Sequence, residues 1–273
     1  MFDAIGFTPE LVSTDPGIVI IQNGKTTPRY RDLDKFLEVL QENYPHEKHR
    51  EFWTLIYNLG THFYEMQGHY YSTTSTWKKM LSLTSYIPLL LKFQRYLRIN
   101  AYDFIRSFYG DASKEYLQFL ESQIFIVAQA KSREVNFFTA ALSLGYTFNE
   151  TYYVKGGMSK LFDGMTASMK QVRRKTTIVD IEQKEDHFIL HTNRDTIEAK
   201  NVILNSTVYQ SGKLFKEKKI KSYYKKYESL NNYQSSFMLY MTIKSDKKYH
   251  HHYQLIQDKM YPHTLSHALF VSF

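Results

Sequence analysis

His250-His251-His252 is the densest cluster of potential metal ligands in the sequence, and Gly156-Gly157 is its only adjacent glycine pair. Three imidazoles in a row suggest a metal site. On a strand, however, neighbouring side chains point to opposite faces, so the three do not converge easily on one ion and structural roles account for them better. His46 and His49, His62 and His69, and His187 and His191 all lie outside an H-E-x-x-H pattern, which would set two imidazoles and a carboxylate on one helix. Asp103, Asp111 and Glu115 make no persuasive acid/base pair, and without a G-x-S-x-G elbow serine hydrolysis has no support. The chain contains no cysteine, which excludes disulfides, thiolate metal sites and a cysteine nucleophile. No metal ligand is assigned.

The stretch from Tyr152 to Thr207 is the most informative. Tyr152 to Val154 is β-rich, Gly156-Gly157 allows a turn with positive φ, and Met158 to about Lys170 is helix-forming, with Met158, Leu161, Phe162, Met165 and Met169 on one side. Three β-rich runs follow at about 176–182, 186–192 and 196–205. The last two are joined by Asn193-Arg194-Asp195, a connection of hairpin length, and together the runs predict a three-stranded meander.

This succession resembles the phytoene desaturase, carotenoid isomerase and retinol saturase group of flavin-dependent oxidoreductases. The resemblance is carried by Tyr153-Val154-Lys155-Gly156-Gly157-Met158 with Leu161, by Ile178 and Ile181, and by Ala199 with Val202-Ile203-Leu204-Asn205. Met1 to Tyr44, Ser236 to Tyr240 and His250 to His252 also look like segments of that group, so the similarity covers nearly the whole chain as the family's middle portion. It implies FAD as cofactor, a hydrophobic isoprenoid-like substrate such as a polyene, and a backbone contact between Ile178 and the adenine end of the flavin. In flavin enzymes the ring takes the electrons, so few catalytic side chains are expected.

The departures are as informative. Family members open with a G-x-G-x-x-G turn whose amides hold the cofactor diphosphate, and end with a second glycine-rich segment, and this sequence contains neither. The chain therefore reads as such an oxidoreductase lacking both ends, expected to bind no FAD and to be inactive alone. A non-catalytic module for hydrophobic ligands or membrane surfaces is the reading from a different class.

Composition sets the wider frame. With 43% apolar and 16% aromatic residues the 273-residue chain can build a large core, and disorder throughout is excluded. The start lacks a secretory pattern, and no apolar run approaches the roughly 20 residues that span a bilayer, so a cytoplasmic protein, soluble or peripheral at the inner face of the membrane, is expected. Most of the net charge of +8 lies after Ser211, where eleven lysines face four acidic residues. Lys213 to Lys226 lie on a predicted helix with Ile220, Tyr223, Tyr224 and Tyr227; a solvated face and an anionic membrane surface both fit, whereas nucleic acid lacks any accompanying motif.

The elements that position these segments are legible in outline. Asn23-Gly24 predicts a type I′ hairpin within 18–30, Pro28 restricts the return strand to an edge, and Asp32 or Asp34 caps a helix buried through Phe36, Leu37 and Leu40. From about Glu47 to Phe148 the signal is mostly helical. Within it 77–110 mixes leucines and aromatics with Lys78, Lys79, Lys92, Arg95 and Arg98, which suits either a core helix pair split at Pro88 or an interfacial element. The predicted class is α+β with a mixed sheet. Residues 1–150 form a helical substrate region, 151–210 a flavin-domain segment, and 211–273 the rest of the substrate region, with further strands at 235–243 and 267–273.

Overall fold

The computed structural model describes residues 6–65, 75–84, 86–230 and 234–273. In chain order it runs β1 (Leu11–Ser13), β2 (Val19–Gln22), β3 (Lys25–Pro28), α1 (Leu33–Asn43), α2 (His49–Glu65), α3 (Thr76–Thr84), α4 (Ile87–Arg98), α5 (Ala101–Tyr109), α6 (Lys114–Ala128) and α7 (Phe137–Gly145). After these come β4 (Tyr152–Val154), α8 (Met158–Ala167), β5 (Ile178–Gln183), β6 (Phe188–Thr192) and β7 (Thr196–Ala199). The described chain closes with α9 (Val208–Ser211), α10 (Lys218–Lys225), β8 (His252–Ile256) and β9 (Ala268–Ser272). It forms two compact units, Thr8–Phe162 with Lys247–Phe273, and Asp163–Asp246 with Gly6 and Phe7.

The larger unit is a mixed sheet backed by helices. Asn23 and Gly24 both have positive φ, 49° and 78°, which is what a type I′ turn between β2 and β3 requires. The sheet order is β3-β2-β8-β9, with β2 parallel to β8 and the other pairs antiparallel; Pro28 sits on the edge strand, where its missing N–H costs no ladder bond. Asp32 caps α1 by accepting from the Lys35 amide at 2.9 Å, and Asn100, Ser113 and Asn136 do the same for α5, α6 and α7. Side chains of the sheet tie it to α6: Gln254 donates to the Ser122 carbonyl at 3.0 Å and Gln22 to that of Glu115 at 3.2 Å.

At the centre of the helical layer lies Arg29, fully buried. Its guanidinium carbon is 4.4 Å from the Phe36 ring centroid, 4.6 Å from that of Trp53 and 5.5 Å from that of Phe148. Nη2 donates to the Leu144 carbonyl at 2.6 Å, Nη1 donates to Gln123 Oε1, and Nε has no partner. Among the described residues no carboxylate pairs with this cation, and the negative ring faces and two neutral oxygens compensate its charge. Burial lowers its pKa to about 10, which leaves it charged at neutral pH.

The smaller unit contains the expected meander, β5-β6-β7, all antiparallel. Its third strand ends at Ala199 rather than near 205. Ile181 is buried and bridges to Phe215, and Phe215 stacks on Tyr224 of α10 at 6.1 Å. Gly212 lets α10 close in: a Cβ there would lie 2.6 Å from Tyr224 Cβ.

Three expectations need correction. Residues 235–243 are irregular instead of a strand, with Phe237 93% and Tyr240 84% exposed; β-propensity gives no strand without an edge to pair with, and the segment pairs with neither edge of the meander. Residues 211–246 belong with the meander instead of the N-terminal region, because Phe215 and α10 find their apolar partners there; only Lys247 onward joins the hairpin, through β8. The other boundary falls at Asp163, within α8, and not at 151. The expected strand at 267–273 forms as β9.

Replacing Arg29 by Met should lower unfolding free energy by about 2–4 kcal/mol, because Gln123 and the Leu144 carbonyl lose a buried donor. Urea denaturation checks this, and Arg29→Lys should recover little of the loss because a lysine has no planar fork.

Candidate functional site

The glycine turn is built as its sequence requires. Gly157 N–H donates to the Val154 carbonyl at 2.8 Å, closing a β-turn whose third residue, Gly156, has φ 81°, the left-handed value that a type II turn demands there. Gly157 follows with φ 84° and leads into α8, and the Lys160 amide donates back to the Gly157 carbonyl at 3.1 Å. The turn is anchored on β1 through antiparallel pairing with β4 and a Lys155 Nζ to Glu10 Oε1 ion pair of 2.5 Å.

Ile178 lies in the smaller unit as the first residue of β5, half-buried and opposite Thr192. The register shifts between it and Asp180, and in the regular ladder that follows Asp180 and Ile181 are both buried although they are neighbours. Asp180 accepts from Lys216 Nζ at 2.9 Å, and this bond holds the lysine's pKa above its ordinary value. Glu217 receives the Gln183 amide at 3.0 Å on one carboxylate oxygen, while its other oxygen is buried without a partner. Sequence reasoning missed this cluster because nothing in the alternation of residues announces a shift of register.

The histidines divide into separate environments. His251 stacks on Tyr153 with centroids 4.8 Å apart, His252 Nδ1 lies 3.0 Å from Ser272 Oγ, and His250 faces Tyr253. Among the described residues no group of three or more His, Asp or Glu side chains is placed to hold a metal ion. His46 pairs with Asp111 at 3.1 Å, a bond that holds the Asp111 carboxyl below its ordinary range. His187 lies 2.6 Å from the neighbouring Asp186, His191 is 3.9 Å from Glu182, and His69 lies outside the described residues.

His49 is buried at one end of a directed hydrogen-bond chain. Its Nε2 lies 2.5 Å from the Tyr44 carbonyl, which only accepts, so Nε2 carries the hydrogen and Nδ1 of the neutral ring accepts from Tyr109 Oη at 3.2 Å. Tyr116 then donates to Tyr109 at 2.8 Å and receives the Trp53 indole N–H at 3.0 Å. Burial raises both tyrosine pKa values and lowers that of His49. The chain has no free acceptor for an extra proton, which suits a fixed core network better than a proton relay.

One surface stands apart in composition. On α3, Trp77 is 69% exposed, with Met80, Leu81 and Leu83 also exposed, while Ile87 and Leu91 are exposed on α4. The opposite face of α4 is packed, with Phe93 buried against Phe138. Pro88 sits in the first turn of α4, so the expected split falls between the two helices. The side chains of Leu89 and Leu90 lie outside the described set. Among the described residues no helix is long and apolar enough to cross a membrane.

No family model matches the sequence, and neither does any curated protein. Solved structures of putrescine oxidase do match in chain path. A triple mutant from a redesign of its cofactor binding has a TM-score of 0.47 at 11% identity, and the wild type bound to putrescine has 0.46 at 12%. In both cases 82% of this chain covers 48% of the other, so the chain spans about half the length of the structures it resembles.

His49 makes stability sensitive to acid. Its folded pKa lies below its unfolded value, so the unfolded state binds the extra proton and stability is lost as pH falls below about 6.5. Urea midpoints across pH 5 to 8 should show the decline, and His49→Gln should flatten that part of it.

Proposed function

We propose that the chain is part of a flavin-dependent oxidoreductase of the phytoene desaturase, carotenoid isomerase and retinol saturase type, acting on a long polyene or other isoprenoid lipid. The observation that carries the reading is the order of elements: strand β4, the Gly156-Gly157 turn, α8 and the meander β5-β7 occur at the residues that bear the sequence resemblance. In this reading FAD supplies the electron-accepting ring, and the Ile178 backbone lies against its adenine end.

The residues present do not fit the cofactor's diphosphate. That group needs convergent free backbone amides at a helix N-terminus, and the chain has no G-x-G-x-x-G turn to give them. The Gly157 and Lys160 amides of the glycine turn are already donated within it. No reaction step is therefore assigned to this chain's own residues. The purified chain should emerge from gel filtration without stoichiometric flavin, whereas co-expression with the flanking coding sequence should give a yellow complex. A colourless complex would overturn the flavin reading.

A second reading, peripheral membrane binding, is favoured by the exposed apolar residues of α3 and α4 beside Lys78, Lys79, Lys92 and Arg95. Each basic residue near an anionic surface contributes about 1 kcal/mol, and each fully inserted Leu or Trp roughly 1.5–3 kcal/mol. The lysines of α10 offer a second basic surface on the other unit. In this reading the protein works at the cytoplasmic face of a membrane, the phase in which an isoprenoid substrate would dissolve. Co-sedimentation with anionic vesicles should weaken as salt rises, and Leu81→Ser with Leu91→Ser should remove the salt-resistant remainder. Protein left in the supernatant at low salt sinks the idea.

A further inference from the structure

We propose that the cleft between α5, α6 and the loop after α6 binds a soluble anion carried on an apolar stem, a phosphate monoester or carboxylate of an alkyl or aryl group. The cleft has a volume of about 900 Å³, within the range of small-molecule sites, and lies wholly in the larger unit. It stands apart from the α3 and α4 face, and the proposal does not depend on the flavin reading.

Its charge is arranged for an anion. Arg106, Lys114, Lys131 and Arg133 line the cleft, and among the described residues none of the four is in an ion pair. The acidic groups that share the lining are already engaged. Glu115 is paired with Lys25, both Glu121 oxygens accept from the Ser132 amide at 3.1 and 3.4 Å, and Asp258 accepts from Asn23 at 3.4 Å. Glu134, nearby in sequence, accepts from the Lys131 amide at 2.7 Å. With Glu115 neutralised by Lys25, four cations face the two remaining lining carboxylates, Glu121 and Asp258, so the lining carries a net charge of +2.

The two arginines are also pre-positioned. The Arg133 guanidinium carbon lies 3.5 Å from the Tyr102 ring centroid and that of Arg106 lies 5.5 Å from the same centroid. The Tyr102 ring holds the Arg133 guanidinium in close contact and Arg106 within cation–π range, and arginine can grip a phosphate or carboxylate with two parallel bonds. Deeper in, Ile105 and Leu120 are buried and Leu117 is half-buried along the wall. An inorganic anion would use the rim and leave the half-buried Leu117 beside it wet, which is why the ligand is given a stem.

Calorimetric titration of the full chain with monomeric octyl phosphate, inorganic phosphate and octanol tests the proposal. Octyl phosphate should bind at least tenfold more tightly than either of the others, and more weakly as salt rises. Arg106→Gln with Arg133→Gln should weaken octyl phosphate at least tenfold with an unchanged circular dichroism spectrum, while vesicle co-sedimentation stays as in the wild type. In the wild type, octyl phosphate should also protect Arg133 from phenylglyoxal, read by peptide mass, a measurement independent of how the variant folds. Equal affinity in wild type and folded double variant, loss of vesicle binding without loss of octyl phosphate binding, or modification of Arg133 at an undiminished rate would each overturn the assignment.

Discussion

A guanidinium enclosed by three aromatic rings and bonded to two neutral oxygens is the constraint on which the larger unit depends. Arg29 continues the hairpin ladder past β3, its amide donating to the Ile18 carbonyl at 2.8 Å, and its side chain then gathers α1, α2, α6, α7 and the turn containing Phe148. A buried ion pair would have satisfied the charge at one point. Aromatic faces and neutral oxygens satisfy it only if several elements arrive together, so the arrangement rewards complete assembly and penalises partial packing.

The hydrogen-bond chain from Trp53 to the Tyr44 carbonyl adds direction to this packing. Trp53 gives one hydrogen, the two tyrosine hydroxyls each accept one and give one, and His49 accepts at one nitrogen and donates at the other. The imidazole tautomer is thereby dictated by the Tyr44 carbonyl bonded directly to it, and that choice orients every hydrogen back to Trp53. Such a network fixes the relative rotation of α2, α5 and α6 more tightly than apolar contact alone would.

Local chemistry was legible in the sequence, and partnership was not. Asn23-Gly24, Asp32, Pro28, the 156–157 turn and the three runs of the meander are each specified by a few neighbouring residues, and each formed where expected except that the third strand stops short at Ala199. The absent strand at 235–243, the exposure of Trp77 and Leu91, and the placing of 211–246 depend on which distant surface is presented, which periodicity does not encode. The Arg29 cage was illegible for the same reason: Arg29, Phe36, Trp53 and Phe148 form no spacing pattern. The cations of the α5 and α6 cleft, spread from Arg106 to Arg133, likewise read as ordinary surface charge until the helices bring them to one rim.

The parallel pairing of Val19 with Tyr253 has a consequence for synthesis. Translation delivers β2 about 230 residues before its partner β8, so over that interval one edge of β2 has no strand to meet. During that interval Ile18, Val19 and Ile20, buried in the finished sheet, flank an open edge of the kind that recruits other strands. The helices behind the hairpin can cover one face meanwhile, but not the edge. Chaperone capture of the nascent chain, and aggregation when expression outruns it, are the natural costs of joining the two ends of this unit through one pair of parallel strands.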